Sequence, residues 1–257
     1  MSIDQRAVID SSARIGKNVT IGPFSVIGPN VEIGDGTWIG PHVVINGPTR
    51  IGRENRFFQF SSIGEIPQDK KYHGESSRLE IGDRNTIREY VTINRGTDDG
   101  GGVTRVGDDN WLMAYIHIAH DCIVGNGVIM ANAASLAGHV RVDDAAILGG
   151  FTLVHQFCSI GSYSFCGMGS AISKDVPPFV MVNGNPAHPH GLNQEGLRRR
   201  QTDKDTMQAL REAYRIIYRS GHTTREAKIH LAGLAEKYEQ VAMMRDFIDQ
   251  SQRGILR

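Results

Sequence analysis

An aliphatic residue recurs at every sixth position through most of this chain, in one register. It occupies Ile3, Ile9, Ile15, Ile21, Ile27, Ile33, Ile39, Ile45 and Ile51, then passes through Phe57 and Ile63. It resumes at Ile81, Ile87 and Ile93, and after a second break runs from Val106 through Leu112, Ile118, Val124, Met130, Leu136, Val142, Leu148, Val154, Ile160 and Cys166 to Ile172. A period of six matches neither a free helix at 3.6 nor a simple strand at 2, so it marks a repeat in which each unit is one flat side of a coil. The pattern predicts a mainly β fold, a left-handed parallel β-helix with three hexads per turn.

The residue types agree with that geometry. Glycine follows the aliphatic position at 16, 22, 28, 34, 40, 52, 64, 82, 107, 125 and 161, where a corner is expected and a missing Cβ relieves strain. Four residues after the aliphatic position comes a small or β-branched side chain, as at Val19, Ser25, Val31, Thr37, Val43, Cys122, Val128, Ala134, Val140 and Ala146. Both columns should point inward and stack, so that burial of apolar rows supplies most of the stability.

A solenoid lengthens without thickening its core, so 257 residues divide naturally into one rod and a smaller appended domain. The β-helix is assigned to residues 1–190 and a helical domain to 191–257. The register breaks at 64–80 and 94–105, two polar, glycine-containing segments expected as external loops walling a binding surface. The repeat runs out near Asp175-Val-Pro-Pro, and the helical pattern begins after Gly184-Asn-Pro-Ala. Thr202 or Asp203 should cap a helix carrying Met207, Leu210, Ala213, Tyr214 and Ile217 and ended by Gly221. A second helix should start near Thr223 with Ala227, Ile229, Leu231, Leu234 and Ala235, and a third should cover 238–250, the three together capping the open end of the rod.

Charge bounds the partners. Lys+Arg and Asp+Glu are both 28, so no global basic field exists and a nucleic-acid partner is not expected. Cys122, Cys158 and Cys166 fall in inward columns and read as buried reduced thiols of a cytoplasmic protein. The first residues join the repeat without a signal peptide, and no apolar run is long enough for an integral membrane segment.

Chemistry concentrates where bland repeat positions turn polar: His117-Ile-Ala-His120-Asp121, then His139, then His155-Gln156. At eighteen residues per turn, His120, Gly138 and Gln156 share one column and Asp121, His139 and Phe157 the next, each step advancing about 4.8 Å along the axis. One imidazole on such a rod is ordinary solvated decoration. Four with a glutamine within forty residues form a stripe. Neutral imidazole is also the commonest nitrogen ligand of zinc, but His117 and His120 are three apart on a strand whose side chains alternate faces. They cannot easily hold one ion, and no metal is expected.

Beyond the hexads, short segments follow one another in a specific order: Gln68-Asp69-Lys70-Lys71-Tyr72, Ile87-Arg-Glu, Arg95-Gly-Thr, the run from His117 to Cys122, Ala137-Gly-His-Val, Val154-His-Gln-Phe, Asp175-Val-Pro-Pro, Gly184-Asn-Pro-Ala and Glu195-Gly-Leu-Arg-Arg-Arg. In this order and spacing they resemble the bacterial UDP-N-acetylglucosamine O-acyltransferases, which open lipid A biosynthesis, over essentially the whole chain. The resemblance implies transfer of an (R)-3-hydroxyacyl group from acyl carrier protein to the 3-hydroxyl of UDP-N-acetylglucosamine, with no cofactor beyond the carrier's phosphopantetheine. The chemistry is consistent: a sugar hydroxyl is a poor nucleophile and needs a base with a pKa near 7 as it attacks the thioester. By resemblance that base is His120, with Asp121 fixing its ring and the Gly138 backbone N–H as donor to the developing oxyanion.

Residue by residue, the same likeness implies that Asp69, Lys71, His117 and His139 line the sugar and thioester pocket and that Gln156 lies deeper in the acyl groove. Asn193, Glu195, Arg199 and Arg200 resemble nucleotide contacts, for which guanidinium suits a diphosphate; at least one of the three consecutive arginines 198–200 is expected on a solvated helix face. Asn94 stands where relatives commonly carry His before Arg-Gly-Thr, so no role of that His is transferred. Met168 resembles the family's acyl-length ruler. It lies about 2.7 coils, or about 13 Å, beyond His120, room for about ten carbons at about 1.25 Å each, which predicts a 3-hydroxydecanoyl donor. Met168 sits on a different column and is expected to meet the groove from a neighbouring subunit of a homotrimer, since polar residues along one edge of a flat-sided rod need a second wall. An N-acyltransferase of the same pathway, or another hexapeptide acyltransferase, is the alternative, though the N-acyl relative carries an added N-terminal domain where here the coil starts at Ile3. A non-catalytic β-helix scaffold or a metal enzyme is the third reading, and a scaffold would have no use for His120.

Overall fold

A computed structural model describes residues 2–257. Each hexad contributes a short strand and then a corner, and three hexads close one coil. Among the described residues the strands form three sheets of 11, 9 and 8 strands. Sheet A runs from Ser2–Ile3 to the final pair Val180–Asn183 and His188–Leu192, sheet B from Val8–Ile9 to Ala171–Ile172, and sheet C from Arg14–Ile15 to Ser159–Ile160. Apart from that final pair, neighbours in each sheet are parallel and come from successive coils, as in Ser2↔Thr20, Ile118↔Leu136 and Val142↔Ile160. The rod is the left-handed parallel β-helix that the hexads predict.

Both inward columns are buried from Val19 onward, while the first-coil residues Ile3, Ala7, Ile9, Ala13 and Ile15, with no coil beneath them, stay partly exposed. Each fully buried Ile contributes about 1.5–3 kcal/mol relative to an exposed one. Part of the second column is polar: the Asn85 backbone N–H and Nδ2 both donate to Asn55 Oδ1 (2.9 and 3.0 Å), and the Asn110 backbone N–H donates to Asn85 Oδ1 (2.9 Å). This ladder satisfies amide groups that a corner would otherwise leave buried and unpaired.

The corner differs from the sequence expectation. The left-handed backbone falls three residues after the aliphatic position and, except at Gly64, not on the glycine directly after it; Phe24, His42, Asp121 and His139 have φ of 59°, 55°, 59° and 61°. The glycines answer to a different constraint, the close approach of the next coil. A Cβ on Gly34 would stand 2.5 Å from the carbonyl carbon and oxygen of Gly52.

Both insertions leave sheet B and rejoin at sheet C, hence at the same corner. The register jumps from 18 to 30 residues at Arg56↔Thr86 and to 25 at Thr86↔Trp111, so the insertions add 12 and 7 residues. The strands Ser62–Glu65, Arg78–Ile81, Thr92–Asn94 and Val103–Val106 run into both segments expected as loops, because Leu79 and Thr104 still fill inward positions.

After an antiparallel hairpin that the sequence reading did not anticipate come four helices: α1 (Gln194–Arg199), α2 (Lys204–Tyr218), α3 (Thr224–Ala235) and α4 (Glu239–Gln250). Asn193, Asp203 and Thr223 cap the first three through their side chains, Thr223 in a capping box with Glu226. Ile229, expected on the apolar face of α3, is exposed. The tail beyond α4 returns along the side of the rod: the Asp175 N–H donates to Gly254 O (3.0 Å), the Leu256 N–H to Asp175 O (2.9 Å) and Ser251 Oγ to Asp175 Oδ2 (2.6 Å). Among the described residues no helix is long and apolar enough to cross a membrane.

Candidate active site

His120 and Asp121 form the sheet B to sheet C corner between the strands His117–Ile118 and Ile123–Val124. The Asp121 N–H donates to Thr104 Oγ1 of the preceding coil (2.8 Å), which helps hold the left-handed backbone. The Asp121 side chain is 1% exposed. Its Oδ1 accepts the Thr97 backbone N–H (2.8 Å), and its Oδ2 accepts the Thr97 hydroxyl (2.7 Å) and faces His120 Nδ1 at 2.7 Å. Burial alone would raise the Asp121 pKa, but the hydrogen bonds from His120 and Thr97, with nearby His139, outweigh it and hold the carboxyl below its ordinary range. An ionised carboxylate only accepts, so His120 Nδ1 carries the proton and Nε2 offers a lone pair.

That lone pair lies over Gly138. A Cβ there would stand 2.6 Å from His120 Cε1 and 2.7 Å from Nε2, so any side chain would cover the ring. One coil further, His139 packs edge-on to His120 (centroids 5.1 Å apart, 90°) and stacks on Phe157 (4.5 Å). Burial pushes the His139 pKa down, against the pull of Asp121, with His120 adding to the depression. Burial, and then His120, depress His117 as well, and His117 Nδ1 lies 2.7 Å from Thr92 Oγ1. Both rings are therefore neutral hydrogen-bonding groups near pH 7.

Asp69, from the first insertion, brings its Oδ2 to 4.0 Å from His120 Nε2. The Lys71 N–H donates to Asp69 Oδ1 (3.0 Å) and leaves the Lys71 side chain exposed at the rim. Gln156 is exposed on the same corner two coils beyond His120. These residues converge within one chain; the others do not. Met168 is 77% exposed at the corner from sheet A to sheet B. Asn193, Glu195, Arg199 and Arg200 sit on or beside α1, next to Tyr163 at the corner from sheet C to sheet A. There Arg200 stacks 4.0 Å over the Tyr163 ring, and Asn193 Nδ2 donates to Tyr163 O (2.9 Å). Arg198 and Arg199 both clasp Glu195, whose pKa their hydrogen bonds lower to about 2.

Several residues escaped the sequence reading. Thr97 and Arg95 lie in the Arg95-Gly-Thr segment, which carried the resemblance but no assigned role. Arg95 Nη1 donates to Gly47 O (2.6 Å) and Nη2 to Tyr72 Oη (3.3 Å), tying the two insertions together. Asn94 is buried and its Nδ2 donates to Ile66 O (2.9 Å), a structural pin. Spacing could not reveal these contacts, because residues in an insertion have no hexad register. His120, Asp121 and His139 also bring one donor atom each within 4.8 Å, a grouping that the argument from His117 and His120 overlooked. The hydrogen bonds already on Asp121 suit orientation of an imidazole better than ligation.

A three-sided hexad rod with a histidine-lined corner and a helical tail defines a hexapeptide-repeat acyltransferase. Residues 12–47 and 104–138 match the bacterial transferase hexapeptide (six repeats) model, and residues 175–256 match domain 2 of UDP N-acetylglucosamine O-acyltransferase. Acyl-[acyl-carrier-protein]–UDP-N-acetylglucosamine O-acyltransferases of Thiobacillus denitrificans and Halorhodospira halophila are 56% and 58% identical, covering 100% and 99% of this chain and 99% of each relative. The crystal structure of the Moraxella catarrhalis UDP-N-acetylglucosamine O-acyltransferase superposes with a TM-score of 0.98 at 48% identity over 100% of both chains. The Arabidopsis UDP-N-acetylglucosamine acyltransferase gives 0.85 at 36%, over 99% of this chain and 100% of its own. The chain belongs to the acyl-[acyl-carrier-protein]–UDP-N-acetylglucosamine O-acyltransferases.

Proposed function

We propose that this protein transfers an (R)-3-hydroxyacyl group from the phosphopantetheine thiol of acyl carrier protein to the 3-hydroxyl of UDP-N-acetylglucosamine, the first step of lipid A biosynthesis. The observation that carries the mechanism is the hydrogen bond between His120 Nδ1 and buried Asp121, with the free Nε2 over Gly138. Nε2 takes the sugar hydroxyl proton as the oxygen attacks the thioester carbonyl, and Asp121 stabilises the imidazolium. The oxyanion of the tetrahedral intermediate accepts the Gly138 N–H. On collapse the C–S bond breaks and the imidazolium returns the proton to the leaving thiolate. Asp69, Lys71, His117 and His139 hold the sugar and the thioester. Gln156 contacts the acyl chain, while Asn193, Glu195, Arg199 and Arg200 bind the nucleotide.

The three groups of residues lie on three different corners of one rod, and one substrate cannot reach all of them on a single chain. A homotrimer, with corners of adjacent rods facing each other, supplies the missing walls. Met168 of one rod then closes the acyl groove of the next and favours a donor of about ten carbons. Purified protein incubated with UDP-N-acetylglucosamine and a panel of hydroxyacyl carrier proteins, read by product mass, should yield the ten-carbon ester. Absence of any acylated sugar nucleotide would end the reading, whereas equal use of a fourteen-carbon donor would end only the ruler. Met168→Gly should shift the preference toward longer donors by about tenfold, the scale at which an apolar pocket discriminates.

A further inference from the structure

We propose that Thr97, in the second insertion, is a positioning residue for acyl transfer: it clamps Asp121 so that His120 stays in the one tautomer and orientation that can accept a proton at Nε2. This rests on the reading of His120 as the base. The clamp is bidentate, from the Thr97 N–H to Oδ1 (2.8 Å) and from the hydroxyl to Oδ2 (2.7 Å), the oxygen that also receives His120 Nδ1. Thr97 is buried, so water does not compete for these bonds.

The loop is built around that carboxylate. Thr97 O accepts the N–H groups of Gly100 (3.1 Å) and Gly102 (2.7 Å), folding the segment into a tight turn. A Cβ on Gly100 would stand 2.0 Å from Asp121 Cγ and 2.2 and 2.4 Å from its two oxygens, and one on Gly96 would lie 2.8 Å from Oδ1. The glycines on either side of Thr97 are thus the space into which the Asp121 carboxylate inserts. The second insertion does more than wall the substrate: without it Asp121 would face solvent at an ordinary corner.

Removing the hydroxyl should have two consequences. The carboxylate gains freedom to rotate, which loosens the His120 ring. Oδ2 also loses a competing donor and binds the imidazolium more strongly. The other titratable groups around the pair are Asp69 on the first insertion, His117 on the preceding strand, His139 on the next coil and Asp99 in the turn itself; none of them is altered by a change at Thr97.

The test is a panel assayed with UDP-N-acetylglucosamine and hydroxyacyl carrier protein over pH 5.5–9. Thr97→Val should lower kcat about tenfold, the loss of one charge-assisted hydrogen bond, leave KM for the sugar nucleotide within about twofold, and move the acidic limb of the pH profile upward. Thr97→Ser should recover most of kcat. Gly100→Ala, whose Cβ must push the Asp121 carboxylate aside, should lower kcat at least as far as Thr97→Val and also lower the melting temperature. A wild-type kcat and pH profile for Thr97→Val, a loss confined to KM, or a serine variant no better than valine would overturn the proposal. If Thr97→Val does not fold, the serine and Gly100 variants decide by the same criteria. His120→Ala in the same panel separates the two readings. If it stays active the base assignment fails, and if it is inactive while Thr97→Val is normal only the clamp fails.

Discussion

Two corners of the same rod share one backbone and differ in everything built on it. At the corner from sheet A to sheet B, the left-handed positions carry Phe24, His42, Phe60, Tyr90 and Tyr115, stacked face to face at 5.1, 5.4, 5.1 and 4.7 Å. At the corner from sheet B to sheet C, the equivalent positions carry Asp121, His139 and Phe157, and only the last two stack. The coil sets a spacing near that of parallel strands, so rings placed at this position stack, whereas the third corner carries Asn18, Glu54, Arg84, Asp109 and Ala145 at the same position. The B to C corner differs: Asp121 stands where the other corner carries a ring, His120 turns edge-on to His139, and both insertions fold over it.

The largest test of this contrast compares two imidazoles. His120→Ala should reduce kcat/KM by about 10³-fold, within the usual range for a general base. His42→Ala, which breaks a ladder with no carboxylate behind it, should leave kcat within about threefold and cost about 1 kcal/mol of stability through lost stacking. Thermal melts and steady-state assays on the two variants suffice. Comparable activity losses would mean that the A to B corner takes part in the reaction and that the contrast is false.

A second pair sharpens it with smaller effects. Gly138 and Gly150 occupy the same place in their hexads on the two corners. A Cβ on Gly138 meets the His120 ring at 2.6 Å, whereas one on Gly150 meets only Asn132 O at 3.3 Å. Gly138→Ala should therefore lower kcat about 10²-fold, both by displacing the ring and by crowding the oxyanion position, and Gly150→Ala should remain within about threefold, since a contact of that length is relieved by a small shift. Equal behaviour would show that the requirement for glycine is general to the coil.

The fold was legible in the sequence because a solenoid writes its period directly into the chain: Ile21 and Ile160 lie many coils apart yet obey one rule. The stripe of His120, Gly138 and Gln156 followed from the same arithmetic. The reason for the glycines did not, because the clash that excludes a Cβ at Gly34 is with Gly52, a contact between coils that a local turn argument misses. Nor did the Thr97 clamp, since a residue in an insertion can reach any part of the corner. The division of residues among three corners was only half visible. Met168 stood out as off-column, but the place of α1 beside Tyr163 depends on the hairpin Val180–Leu192, whose strands no longer keep the hexad.

The smallest expected effect separates the corners by pH. Burial holds the pKa of His117 and His139 below the ordinary imidazole value of 6.5, so the folded protein keeps both rings neutral at pH values where the unfolded chain protonates them. The stability these rings contribute is complete above about pH 6.5 and is lost as the pH falls from there through their depressed folded values. Asp121 adds nothing in this window: its pKa lies below the usual 3.8, so its contribution persists until the pH falls below about 4. Between pH 7.5 and 5.5, at constant ionic strength, the melting temperature should fall by about 2–4 °C. The double variant His117→Gln, His139→Gln should lose most of that slope. A slope that survives the double variant would place the acid-sensitive groups outside the B to C corner and leave the two corners alike in their response to protons.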